Sequence, residues 1–154
     1  MKKRLLYYLS VNKWLVLFFF IGIVASSILG YWFFSYCSIL EAEKISKSVL
    51  TMSTILTGFS YTTLGVMVNF LSNKTIKEDQ KGGYLDEYFN ASYLSLAFFS
   101  INIPVGFLII LDVISRLETI LVFLQIFFFV IGLSVFMYLI VCYMLLIQYV
   151  RHNG

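Results

Sequence analysis

Charge is what this chain has least of. Only 12% of its 154 residues are charged, where a soluble domain carries about 25%, and 60% are hydrophobic. So sparse a supply of water-holding groups argues against an ordinary soluble domain and points to lipid as the solvent. Histidine is nearly missing as well. The single one, His152, stands almost at the end of the sequence, so a His-based metal cluster, a Ser-His-Asp triad and an HExxH site are all excluded. There is no phosphate-binding Gly-Lys-Ser/Thr loop and no CxxC pair. The long apolar runs carry no acid in their middles, which removes the usual equipment of intramembrane hydrolases and ion-coupled transporters. The expectation is therefore a protein that is not an enzyme and uses neither a cofactor nor a metal.

Cysteine is scarce too, and its placement argues against a disulfide. Cys37 falls near the outer end of the first apolar run and Cys142 near the inner end of the fourth, about 20 Å apart along a membrane normal at the rise of an α-helix. The only proline, Pro104, lies two residues after Asn102 in the middle of the third run. It withholds a hydrogen bond from the carbonyl of Ser100 and predicts a bend there. Asn102 should face protein rather than lipid, either in an interhelical hydrogen bond or, with Pro104, as a kinked gate.

What is present in abundance is uncharged run length. Four stretches lack Asp, Glu, Lys and Arg: Trp14 to Leu40, Ser48 to Asn73, Tyr88 to Leu111 and Thr119 to Val150. Each reaches or exceeds the roughly 20 residues of helix that cross a hydrocarbon core. The fold class expected is all-α, an integral membrane four-helix bundle in one domain over residues 1–154. Its helices should lie at about 14–38, 47–72, 86–114 and 119–150, joined at the centre by a cytoplasmic loop over 73–86. The start, Met1-Lys2-Lys3-Arg4 before an apolar stretch, has the look of a signal peptide, but the uncharged run is far longer than the roughly 7–15 residues of a signal core.

The net charge of +3 is not laid out as a nucleic-acid surface, and no nucleic-acid partner is expected. The bases mark topology instead. Lys2, Lys3, Arg4, Lys13, Lys74, Lys77, Lys81 and Arg151 flank the runs on one side, and only Lys44, Lys47 and Arg116 fall on the other. The excess of positive charge predicts that both termini and the central loop are cytoplasmic, in the inner (plasma) membrane of the cell.

The second run differs from the others in its hydroxyls. At 100° per residue Thr51, Thr54, Gly58, Tyr61, Thr62 and Gly65 fall within an arc of about 100°, a small and hydroxylated face. Thr54, Gly58 and Thr62 repeat the small-xxx-small spacing of close helix contacts. The face is expected to be a helix seam or, around the axis of an oligomer, the lining of a pore. In the first run Ala25, Ser26 and Gly30 should also let a neighbour approach closely. Lys77, Lys81, Asp86 and Glu87 are the candidates for a cytoplasmic protein partner, although Asp86 and Glu87 also suit the positive end of a helix dipole with no further role. Asp112 and Arg116 are spaced to pair across one turn at the other end of the third run.

Leu56-Thr57-Gly58-Phe59-Ser60-Tyr61-Thr62-Thr63-Leu64-Gly65, followed by a charged loop and Gly83-Tyr84-Leu85-Asp86-Glu87-Tyr88-Phe89, resembles a pattern in small multi-pass bacterial membrane proteins associated with anti-phage defence. The resemblance covers about a third of the chain and carries over no residue role. It implies a homo-oligomeric effector or channel that permeabilises or depolarises the inner membrane when a cytoplasmic partner signals. The other expectation is a non-conducting accessory or immunity subunit that binds a larger partner. Both rest on the lipid bilayer as the chain's first partner and on association, with itself or with another protein, as its means of action.

Overall fold

The computed structural model describes residues 12–36, 39–70, 85–111 and 118–153. Among them the chain is entirely helical, with α1 at Lys13–Tyr36, α2 at Ile39–Phe70, α3 at Asp86–Ile110 and α4 at Glu118–Asn153. All four helices are long and apolar enough to cross a membrane. Helix is the form in which a segment satisfies every backbone donor and acceptor within itself, which hydrocarbon demands.

Two boundaries depart from the sequence expectation. α2 starts at Ile39 rather than near 47, because Glu43 and Lys47 lie one turn apart and pair through Oε1 and Nζ at 2.7 Å, continuing the helix past its apolar run. α3 ends at Ile110 rather than near 114. Asp112, Arg116, Cys37, Lys77, Lys81 and the segment 71–84 lie outside the described residues. α4 has 36 residues, about 54 Å at the helical rise, so it exceeds a hydrocarbon core of about 30 Å and must tilt or project from it.

The helices run alternately up and down. At one end the start of α1 (Leu15), the end of α2 (Met67), the start of α3 (Leu85, Ala91) and the end of α4 (Cys142, Leu146) join the same buried clusters. At the other end Phe33 of α1, Ile109 of α3 and Val122 of α4 pack together with Ile45 of α2 against them. α4 is the hub, packing along α1 and α3 and more narrowly against α2, while α2 packs mainly along α3.

Inward positions follow the alternating three-and-four spacing of left-handed bundle packing. In α3 they are Ser92, Ser95, Phe99, Asn102, Gly106 and Ile109. In α2 they are Ser46, Val49, Ser53, Ser60 and Met67, with Leu56 half-buried in the gap. Phe99 is wholly buried, its ring 6.1 Å from that of Phe129 and 5.9 Å from that of Phe136. The closest approaches use glycine: a Cβ on Gly132 would come within 3.0 Å of Phe98 Cβ, and one on Gly22 within 3.0 Å of the Ile131 Cα. Ser26 and Gly30 of α1 are buried, as their small size suggests, with Gly30 lying under the Phe123 ring.

Candidate functional site

The hydroxylated arc of α2 lies on the outside of the bundle. Thr51, Thr54, Gly58, Tyr61, Thr62 and Gly65 are all exposed, Tyr61 at 69%, and a Cβ placed on Gly58 or Gly65 would meet nothing within 4 Å. None of the six therefore forms a seam inside one copy. Each threonine turns its hydroxyl back on its own helix: Thr51 donates to the Lys47 carbonyl, Thr54 to that of Leu50 and Thr62 to that of Phe59, all at 2.9 Å. This internal bonding lets a hydroxyl face hydrocarbon without an unmet donor. Outwardly the face offers methyl groups, hydroxyl lone pairs and two glycine notches, flanked by exposed Met52, Ile55 and Phe59.

The seam within the copy is built by serines instead. Ser46, Ser53 and Ser60 repeat every seven residues, about 130° round α2 from the centre of the threonine arc, and all three are fully buried. Ser95 of α3 donates to the Ser92 carbonyl at 3.0 Å and lies 3.4 Å from Ser60 Oγ; Ser92 Oγ donates to the Tyr88 carbonyl at 2.9 Å and lies 3.4 Å from Met67 Sδ. The seven-residue repeat was the available signal, but the richer threonine content of the opposite face masked it.

Asn102 and Pro104 are not brought together. Asn102 is wholly buried and, with its amide oriented by its neighbours, donates to the Gln125 carbonyl at 3.0 Å and accepts from the Phe129 N–H at 3.1 Å. Pro104 faces outward, and α3 is helical through both residues. Gln125, whose role the sequence did not reveal, extends the network: its Nε2 donates to the Ser46 carbonyl at 3.3 Å, passing over Gly106, where a Cβ would come within 2.8 Å of that nitrogen. Asn102 and Gln125 thus tie α3 to α4 and α4 to α2 at one level. Gln125 Oε1 and Ser46 Oγ are buried there without a hydrogen-bond partner, as is Ser53 Oγ two turns further along α2.

Asp86 is exposed in the first turn of α3, whereas Glu87 reaches across to α1. Its Oε1 accepts the Leu15 N–H at 3.1 Å, and Asn90 Nδ2 donates to Asn12 Oδ1 at 3.1 Å. α3 thereby caps the start of α1 with a carboxylate, the charge that a helix N-terminus favours. Tyr138 and Cys142 of α4 stand beside the same carboxylate.

No family model, curated protein or solved structure matches this chain. Among the described residues no group of His, Cys, Asp and Glu is placed to hold a metal ion. The arrangement is equipped for helix association.

Proposed function

We propose that the chain is an integral protein of the inner (plasma) membrane that acts by self-association through the outer face of α2, several copies enclosing a channel. The observation that carries this reading is the exposure of Thr51, Thr54, Gly58, Tyr61, Thr62 and Gly65 together, with open space over both glycines. A small, hydroxylated and uncharged strip on the outside of a membrane bundle is suited to a second helix at close range. A single copy fills its interior with Phe99, Val122, Val135 and Leu139, so a conducting path belongs between copies.

The orientation follows from charge. The start of α1 at Lys13, the end of α2, the start of α3 and the end of α4 are gathered at one end of the bundle, and Lys2, Lys3, Arg4, Lys74, Lys77 and Lys81 belong in sequence to the segments that lead into or join those ends, with Arg151 in the last turn of α4. That end is cytoplasmic. The resemblance of Leu56–Gly65 and Gly83–Phe89 to defence-associated membrane proteins supplies the setting: the channel depolarises the membrane when a cytoplasmic partner engages the loop over 73–86.

The test is expression of the chain with a potential-sensitive dye. Depolarisation that Gly58→Leu and Thr54→Leu abolish at unchanged membrane abundance, and that Ile28→Trp on the outer face of α1 leaves intact, supports the reading. A dye-silent chain that elutes as a monomer in mild detergent overturns it and favours the accessory role.

A further inference from the structure

The outer face of α2 has a period as well as a composition. Thr51, Thr54, Gly58, Tyr61, Gly65 and Val68 follow one another at intervals of three and four, and all six are exposed. That is the seven-residue repeat of a seam between two packed helices. At 100° per residue the row slips back by 20° in every seven residues, so a helix that follows it winds left-handed. The inner seam of α2, with Ser46, Val49, Ser53 and Ser60, has the same spacing and is buried within the bundle. Over the outer row there is open space at both glycines.

Tyr61 is the residue out of place. It lies thirteen residues after Ser48 and twelve before Asn73, at the centre of an uncharged run, yet it is 69% exposed. Tyrosine on a membrane surface belongs at the headgroup level, where its hydroxyl meets water. In mid-span that hydroxyl faces hydrocarbon, and it makes no hydrogen bond to the described residues. An unmet phenol O–H in lipid is costly. Thr54 and Thr62 have spent their donors on their own helix, and each still offers oxygen lone pairs outward. The face therefore holds a donor in want of an acceptor beside acceptors in want of a donor.

Glycine supplies the room. Gly58 precedes Tyr61 by three residues and Gly65 follows it by four. A helical side chain leans toward the N-terminus, which carries the Tyr61 ring to the level of Gly58. In a parallel pair in register, the hole that receives residue 61 is formed by residues 58, 61, 62 and 65 of the neighbour, and two of those four are glycine. We propose that α2 packs against α2 of a second copy as a parallel left-handed coil, the Tyr61 ring of one copy seated over Gly58 of the next and its hydroxyl donating to Thr54 or Thr62 there. Copies inserted by the same charge bias are parallel to one another. The contact repeats unchanged for any number of copies round an axis. It deepens the self-association proposed above and rests on it, but it does not depend on conduction.

The test places single cysteines in turn along α2 of the full chain, with Cys37→Ala and Cys142→Ala, and oxidises them in native membranes. Cross-linked dimer should peak at positions 51, 54, 58, 61, 65 and 68 and be weak at 52, 59 and 66, which are equally exposed but lie about a third of the way round the helix. Tyr61→Phe keeps the ring and removes the donor. It should weaken each contact by about threefold, and by up to about fifteenfold, the span of interhelical hydrogen bonds in membranes, with helix content unchanged. Links confined to 54, 58 and 62 would indicate a right-handed crossing at the four-residue spacing and overturn the proposal. Maxima at 52, 59 and 66 overturn it too, as does unaltered association in Tyr61→Phe. Links at position 28 on the outer face of α1, with α2 silent, would keep self-association and overturn this contact alone. A monomer that links nowhere would overturn the self-association itself.

Discussion

α2 carries two stripes of small hydroxylated residues, and the structure treats them oppositely. Ser46, Ser53 and Ser60 are buried against α3 and α4, while Thr51, Thr54 and Thr62 stand with Gly58 and Gly65 on the open side of the same helix. Hydroxyl chemistry does not separate them, because threonine satisfies its donor on the preceding turn wherever it points, as Thr54 does at 2.9 Å from the Leu50 carbonyl. The separation comes from the neighbours. The serine stripe is in step with the inward residues of α3, from Ser92 to Ile109, whereas the threonine stripe has no counterpart within one copy. A small residue on a membrane helix is thus a permission for close approach, and the partner determines whether it is used.

The strongest challenge to this contrast compares glycines on the two kinds of surface. Gly132→Leu forces a side chain into Phe98 and Phe99, where Gly58→Leu meets open space. Overpacking of this kind costs about 1–3 kcal/mol or more, so in a detergent that separates the copies Gly132→Leu should lower the thermal midpoint markedly, while Gly58→Leu leaves it unchanged or slightly raised. A comparable fall in both would mean that the outer face already packs against something in the purified particle.

A middle-sized effect sharpens the inner side. Asn102→Leu removes both bonds to α4, and interhelical hydrogen bonds in membranes contribute about 0.6 kcal/mol on average and up to about 1.7. Stability measured by steric trapping or denaturant should fall within that span. Gln125→Leu should fall less, because its Oε1 is already unpartnered and its bond to Ser46 is long at 3.3 Å. An ordering with Gln125 the costlier of the two would show that the α4–α2 tie is the principal one.

The smallest effect is expected where the two stripes are mutated alike. Ser53→Ala removes a buried hydroxyl without a hydrogen-bond partner and should be neutral or mildly stabilising. Thr54→Val keeps the shape of an exposed side chain and should leave stability within about 0.5 kcal/mol, so that any change in oligomer size by light scattering reports on the outer face alone. A loss of stability in Ser53→Ala would reveal a partner for its hydroxyl, such as a buried water.

Four helices of membrane length were legible from the runs of uncharged residues alone, because hydrocarbon tolerates neither exposed backbone nor unpaired charge and so writes its thickness into the chain. The inward placement of Asn102 was legible for the same reason, since a bare amide is costly in lipid. Tertiary packing alone settled which stripe of α2 turns inward, that Gln125 reaches the Ser46 carbonyl, and that Glu87 caps α1 from α3. Serine and threonine satisfy themselves locally and cost little on either side. Their orientation was therefore left to the larger residues beside them, Phe99, Met67 and Leu139, whose volume must be filled from neighbouring helices.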